Sequence, residues 1–253
     1  MNLSKLALLA SLPLAFAACK KDEDAPAPSP APAPSNATMK MSFNFVSGTS
    51  PFNMAANYTD GLGHAIRFST LKFYVSDVHL EDDDSNMVAE YHDTYLLVDG
   101  SAASNVFTLG TMAPGHVHMV NFALGLDSAT NHADPLTAAY PLNVPGMHWS
   151  WNPMAGYKFL NMEGIVDGNG DGDVDDSEDI PFTYHCATDA LLREKHVHIH
   201  ADVVSGSTVT LAVKVDVQVL LNGLDLLTNS VAMGGGANNQ AAMNNLAASV
   251  DAQ

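Results

Sequence analysis

Cysteine is nearly missing from this 253-residue chain, which holds only Cys19 and Cys186. Two thiols that far apart in sequence do not make the disulfide framework of a small secreted scaffold. Basic residues are scarce as well: 10 Lys plus Arg face 28 Asp plus Glu, for a formal charge of −18. Such a chain repels polyphosphate, so a nucleic-acid partner is excluded as a class. No apolar run reaches the twenty or so residues that a membrane-spanning helix needs. Helical periodicity is absent over any long stretch; LDSATNHADPL alone suggests a short helical turn. The motifs H-E-x-x-H, G-x-S-x-G and G-x-x-x-x-G-K-[ST] do not occur, which removes the commonest signatures of hydrolases and P-loop enzymes.

What is present begins with an export signal. Residues 1–18 combine Lys5, an apolar stretch from Leu6 to Leu14 and small residues before Cys19, the pattern of a secretory signal peptide. A cysteine directly after Ala17 and Ala18 resembles the bacterial lipoprotein pattern, with Phe16 where leucine is usual. On that reading Cys19 is acylated and ties the chain to the outer membrane, the periplasmic face or the cell surface; an ordinary signal cut nearby leaves Cys19 incidental. Losing residues 1–18 removes Lys5 and no acid, so the charge moves from −18 to −19. Residues 19–37 are an Ala/Pro-rich linker, extended and semi-rigid. Residues 233–253, rich in Gly, Asn and Ala, read as a flexible tail. Residues 38–232 are left as one domain. With Cys19 lipidated, Cys186 has no partner, so a bound cation is the natural substitute for a disulfide.

The dominant period in that domain is two. Met39, Met41, Phe43 and Phe45 alternate with polar residues, HAIRFS and LKFYVSDVHLE form a strand pair or one bent strand, and Val209 to Val219 alternate cleanly to the end of VDVQVLL. Short strands separated by turn signals indicate an all-β fold, a single antiparallel β-sandwich domain with an inserted EF-hand-type calcium loop. The acidic run Glu81 to Asp84 reads as a solvated hairpin turn.

The calcium loop is the sharpest local signal. Asp167, Asn169, Asp171, Asp173, Asp175 and Glu178 fall on the ligand positions of a twelve-residue EF-hand loop, Gly172 on its turn and Val174 on its apolar position. Both flanks read as strand, so the loop sits on a β-hairpin, without the paired helices that a calcium sensor opens. Its expected role is to brace the link between the tryptophans and His185.

Eleven histidines are an excess beside ten basic residues. His116 and His118 form one H-x-H pair, and His196, His198 and His200 form a triple. Residues two apart share a strand face, which makes both sets an alternative metal site; the bland reading is a solvent face opposite Val197, Ile199 and Ala201. His92 and His132 read as loop histidines. Met147, His148, His185 and Cys186 gather soft or borderline donors around the two tryptophans, Trp149 and Trp151. The competing reading makes both tryptophans core aromatics and His185 a hydrogen-bonded core histidine.

The segments LKFYVSDVHL, TYLLVDG, GLDSATN, GMHWSWNPMAGYKFLNMEG and FTYH, in that order, resemble the MbnP-like (methanobactin-associated) periplasmic copper-binding proteins, which are related to the surface copper proteins of methane-oxidising bacteria. Trp149, Trp151, Tyr157, Gly164 and His185 fall on the family pattern. The methanotroph Trp-x-His arrangement is absent, and His148-Trp149-Ser150-Trp151 is the nearest motif. The resemblance implies a secreted β-sandwich that binds copper through histidines and a tryptophan oxidised to kynurenine by a dihaem peroxidase-like partner, and it makes Met147, His148, Trp149, Trp151, His185 and Cys186 the candidate copper ligands; imidazole suits either copper state and sulfur suits Cu(I).

Three functions follow. The first is a non-catalytic copper-binding lipoprotein that captures or stores metal outside the cytoplasm. The second is a calcium-stabilised adhesion or scaffold module on the cell surface, without copper. The third, ranked last, is a hydrolase using an H-x-H metal with Glu194 or Asp202 as its base. Oligomeric state leaves no mark on the sequence.

Overall fold

The computed structural model describes residues 33–149 and 156–253. Cys19, the signal peptide and Trp151 lie outside the described residues.

Two sheets enclose one apolar core. In the five-stranded sheet, β1 (Ala37–Ser47) lies between β12 (Thr208–Asp216) and both β7 (Val106–Met112) and β2 (Ser50–Pro51), while β14 (Val250–Ala252) extends β12. The nine-stranded sheet runs β11 (Arg193–Val203), β8 (Gly115–Leu124), β4 (Ala65–Glu81), β9 (Lys158–Val166), β10 (Ile180–Ala187) and β13 (Val231–Gly234). The short strands β3 (Tyr58–Thr59), β5 (Met87–Tyr91) and β6 (Leu96–Asp99) also pair with β4. Alternation explains the strands: Met39, Met41, Leu211, Val213 and Val215 are fully buried on one face of the first sheet. Phe43 of that sheet meets Phe73 and Phe122 of the other edge-on, at 6.0 and 6.2 Å, contacts worth about 0.5–1.5 kcal/mol each beyond the area they bury.

Three expectations are corrected. The sandwich is mixed rather than antiparallel, because β1 pairs with β12 and β10 with β13 in parallel. The last alternating run does not continue to Val219: Asp216 accepts from the Gln218 N–H at 3.0 Å and starts α2 (Val217–Leu221), so a capping side chain overrides the strand pattern. The segment from residue 233, read as flexible, carries α3 (Ala237–Ser249) and β14. Ala242, Met243 and Leu246 of that helix are fully buried. The Asn245 amide donates to the Leu220 carbonyl at 3.0 Å. Spacing of three and four places the apolar residues on one helical stripe, which composition alone conceals. The expected helical turn in LDSATNHADPL is α1 (Ser128–Asn131), capped by Asp127.

Strand β4 is one 17-residue strand with register shifts after Phe68 and Ser76, so the choice between a strand pair and a bent strand falls to the latter. Close backbone approach beside it fixes Gly164, where a Cβ would sit 2.2 Å from the Arg67 carbonyl oxygen and 2.6 Å from the Phe182 ring. Gly164→Ala is expected to destabilise the fold by about 3 kcal/mol, read as a lower urea midpoint with an unchanged slope.

Asp60, whose side chain is fully buried, ties the turn before β4 to the chain before α3. It accepts from the His64 ring at 2.9 Å and from the Leu226, Leu62 and His64 N–H groups at 2.9, 2.9 and 3.0 Å. Burial pushes its carboxyl up, but His64 and these N–H groups outweigh burial and hold it below its ordinary value. A depressed carboxylate contributes its stability above the unfolded pKa of about 3.9 and loses it as pH falls through the folded value. Thermal melts of Asp60→Asn at about pH 3 and pH 6 are expected to show a smaller acid-induced drop than the parent chain.

Candidate metal centre

The hairpin of β9 and β10 carries the copper candidates at one end and the acidic loop at the other. His148 forms an isolated bridge with Tyr157, just before β9, which sets the preceding Pro145–Met147 turn and Trp149 beside the sheet. Trp149 stands edge-on to His185 with ring centroids 5.3 Å apart, and the Lys158 ammonium lies 5.2 Å from the Trp149 ring centroid. His148, Trp149 and His185 are 7, 9 and 8 % exposed. A cavity of about 240 Å³, lined by Met147, Lys158, Asn161 and Glu163 among others, opens beside them.

Hydrogen bonding defines which His185 nitrogen is available. Nε2 lies 2.6 Å from Glu163 Oε1 and 3.4 Å from Lys158 Nζ. It cannot donate to the carboxylate and accept from the ammonium at once, and the shorter, charge-assisted contact decides for donation to Glu163. The His185 Nδ1 atom is then the bare one, and among the described residues neither it nor His148 Nδ1, both buried, has a hydrogen-bond partner. Burial pulls the His185 pKa down, Glu163 opposes this and Lys158 adds to it, so the ring stays neutral at neutral pH. Burial likewise lowers Lys158.

Sequence reasoning missed three residues here: Glu163, Lys158 and Asn239. The Asn239 amide, on α3, donates to the His185 carbonyl at 3.3 Å and to the Gly234 carbonyl at 2.7 Å. Cys186 is separated from His185, because neighbours on a strand face opposite ways. Its Sγ lies 3.5 Å from Asn239 Oδ1, and burial pushes the thiol far up. Cys186 therefore does not join the ligand set expected for it.

The acidic loop spans the turn between β9 and β10, strand-flanked as expected, with Val166 opposite Ile180. Asp167 accepts from the N–H groups of Gly170, Gly172 and Asn169 at 2.6, 2.9 and 3.1 Å, Val174 is buried, and Arg67 donates to the Val174 carbonyl at 2.7 Å. Carboxylate oxygens of Asp171, Asp173 and Asp176 lie within 4.8 Å of one another. The Asn169 amide nitrogen contacts Asp171, Asp176 and Glu178 at 3.0, 3.1 and 3.1 Å. Asp175 bonds to Asp173 through its N–H, so Asp176 takes the place in the cluster that spacing gave to Asp175. The Asp173 carboxyl is pushed up, first by a side-chain hydrogen bond with the Asp175 carboxyl, which the Asp175 N–H opposes.

The surface histidines divide. His196 turns to the Asn121 side chain, away from its neighbours. His118 lies against His200 and His198, at centroid distances of 4.6 and 5.2 Å, and His116 lies 5.8 Å from His200. The turn carboxylate Asp83 is 3.1 Å from His118 Nδ1, so this turn is more than a solvated bend. His92 pairs with Glu90 and Asp77 and His132 with Asp189 at 3.3 Å, outside either cluster.

Residues 36–241 match the family model of MbnP. The chain belongs to the MbnP family. A solved structure, MbnP from Methylosinus trichosporium, superposes with a TM-score of 0.54 at 18 % identity, covering 80 % of this chain and 82 % of that one. At that identity the shared property is the fold. No curated protein matches.

The donor set of this MbnP chain fits copper in part. Two buried imidazole Nδ1 atoms have no partner among the described residues, and a carboxylate behind one imidazole is the usual support of a metal-bound histidine. Met147, fully buried, lines the adjoining cavity, whereas the protonated thiol of Cys186 does not fit.

Proposed function

We propose that this chain is an exported copper-binding protein that holds metal outside the cytoplasm and catalyses no reaction. One observation supports the reading: His148 and His185 each bury an Nδ1 atom that has no hydrogen-bond partner among the described residues. An orphaned buried acceptor costs about 1–3 kcal/mol, and coordination relieves that cost. His148 and His185 would supply imidazole, Trp149 or an oxidised form of it would border the ion, and Glu163 would hold the His185 tautomer. Bound copper supplies a soft, redox-active centre; burial of both rings supports retention of the ion over turnover. The same reading places a lipid on Cys19 as the membrane tether, and assigns a dihaem peroxidase-like partner the conversion of Trp149 or Trp151 to kynurenine. Among the described residues no helix is long and apolar enough to cross a membrane.

We also propose calcium in the Asp167–Glu178 loop as a structural brace. The Asn169 amide nitrogen occupies the point on which the Asp171, Asp176 and Glu178 carboxylates converge. Turning that amide over presents its oxygen instead, as a hard cation requires.

Native, lipid-anchored protein tests the copper reading through metal analysis after dialysis combined with intact mass. One retained equivalent of copper is expected, with a mass gain on a peptide containing Trp149 or Trp151. Loss of all copper on dialysis would overturn the reading and favour a calcium-stabilised surface module.

A further inference from the structure

We infer that the outer face of β8 and β11, closed by Asp83, is a second metal site, for a borderline divalent ion of the zinc or cupric class. The site shares no residue with the His148–His185 centre and does not depend on it. Alternation places His116 and His118 of β8 and His198 and His200 of β11 on one face, and the antiparallel pairing sets Asp202 opposite His116. The register slips between His198 and Ala201, so Ile199 and His200 together face His118. A bulge of this kind re-aims side chains, and here the His200 and His198 rings both stand edge-on to His118, at 4.6 and 5.2 Å.

A third element completes the constellation. Asp83, in the turn between β4 and β5, places its carboxylate 3.1 Å from His118 Nδ1 and 3.8 Å from His116 Nε2. Ligand atoms of Asp83, His116 and His200 lie within 4.8 Å of one another, and these rings and the carboxylate are solvent-facing enough to close by small rotations. Donors converging from two strands and a turn are what three- or four-coordinate zinc and copper sites use.

Two further observations point to an ion rather than to simple charge pairing. His118 Nδ1 is buried and makes no hydrogen bond among the described residues despite the nearby carboxylate, so the contact is close without being aligned. His116 Nδ1 is held at 2.9 Å by Asp202 Oδ1, which fixes the ring and leaves Nε2 directed toward Asp83. That is a carboxylate–histidine–metal arrangement with its outer partner already in place. Three imidazoles with one carboxylate select against calcium and magnesium, which prefer all-oxygen shells. The chain's charge of −18 raises the local concentration of any cation.

Calorimetric titration of zinc into the mature chain, in buffer saturated with calcium, tests the site. His118→Ala/His200→Ala is expected to bind one zinc equivalent fewer than the parent chain and to keep the copper that depends on His185. Asp83→Asn, an exposed turn change that leaves both strands intact, is expected to weaken this equivalent about tenfold or more. The His185→Ala variant is expected to retain it. Equal zinc stoichiometry and affinity in the parent and the double variant would overturn the proposal, as would absence of zinc binding by the parent chain. In the His185→Ala background, a cupric complex at this site is expected to show nitrogen hyperfine splitting that disappears when His118→Ala and His200→Ala are added; its persistence there would equally count against the assignment.

Discussion

His185→Ala is expected to abolish stoichiometric copper binding at the buried centre. His185 is the one candidate ligand whose every other bond is already assigned. Its Nε2–H is held by Glu163 and its carbonyl by Asn239, and its Nδ1 has no partner among the described residues. Loss of the ring therefore removes a pre-oriented donor that no neighbour replaces. The surrounding variants separate a ligand effect from a packing effect. Glu163→Gln keeps the volume but weakens the restraint on the tautomer, and is expected to lower copper affinity about 10–100-fold. Lys158→Met removes a cation beside the ring and is expected to raise affinity, because a second positive charge no longer opposes the metal. A structural role for His185 predicts the opposite sequence, with stability falling in all three variants and copper affinity tracking it. Equilibrium dialysis against a competing chelator, with melting curves on the same samples, reads both quantities.

Removing calcium is expected to lower the melting temperature by about 5–10 °C. Free calcium at about a hundred times its dissociation constant adds about 2.7 kcal/mol to folding, and each kcal/mol moves the melting point by about 2–4 °C for a domain of this size. Glu178→Gln is expected to reproduce most of that shift with calcium present and little of it in excess chelator. Asp176→Asn is expected to cost more than Asp175→Asn, since Asp176 and not Asp175 joins Asp171 and Asp173. Equal shifts with and without calcium would assign the loop's contribution to the Asp167 hydrogen bonds alone.

Much of the fold was legible because sheet residues announce themselves by alternation. Met39, Met41 and Phe43, like Leu211, Val213 and Val215, are buried on the face their pattern requires, with Phe45 half-buried, and the strand-flanked acidic loop stands where its spacing placed it. Strand direction was not legible, since alternation is the same whether Met39 faces Val209 in parallel or antiparallel. Nor was the end of β12, where Asp216 exchanges a strand for a helix within a continuous apolar run. The α3 stripe of Asn239, Ala242, Met243 and Leu246 was present in the spacing but hidden by the Gly, Asn and Ala around it. Missing that helix also meant missing Asn239, which anchors the main chain of His185 from 54 residues away. Glu163 and Lys158 lie within the Trp-containing family segment, yet only cross-strand pairing, with Asn161 opposite His185, shows that they meet the histidine. The same holds for Asp83, which no sequence pattern links to His118.

The parallel ladder between β1 and β12 carries a consequence for biogenesis. Residues 170 positions apart, such as Ser35 and Ser205, must meet before the first strand has its full complement of neighbours. Closing so long a loop is slow compared with local pairing. A polypeptide threaded through a translocase from its N-terminus would thus emerge with its opening strand half-satisfied until nearly the whole chain has crossed. Over that interval the exposed edge would be open to holdase chaperones, and any site that includes His185 could form only after the final third has arrived.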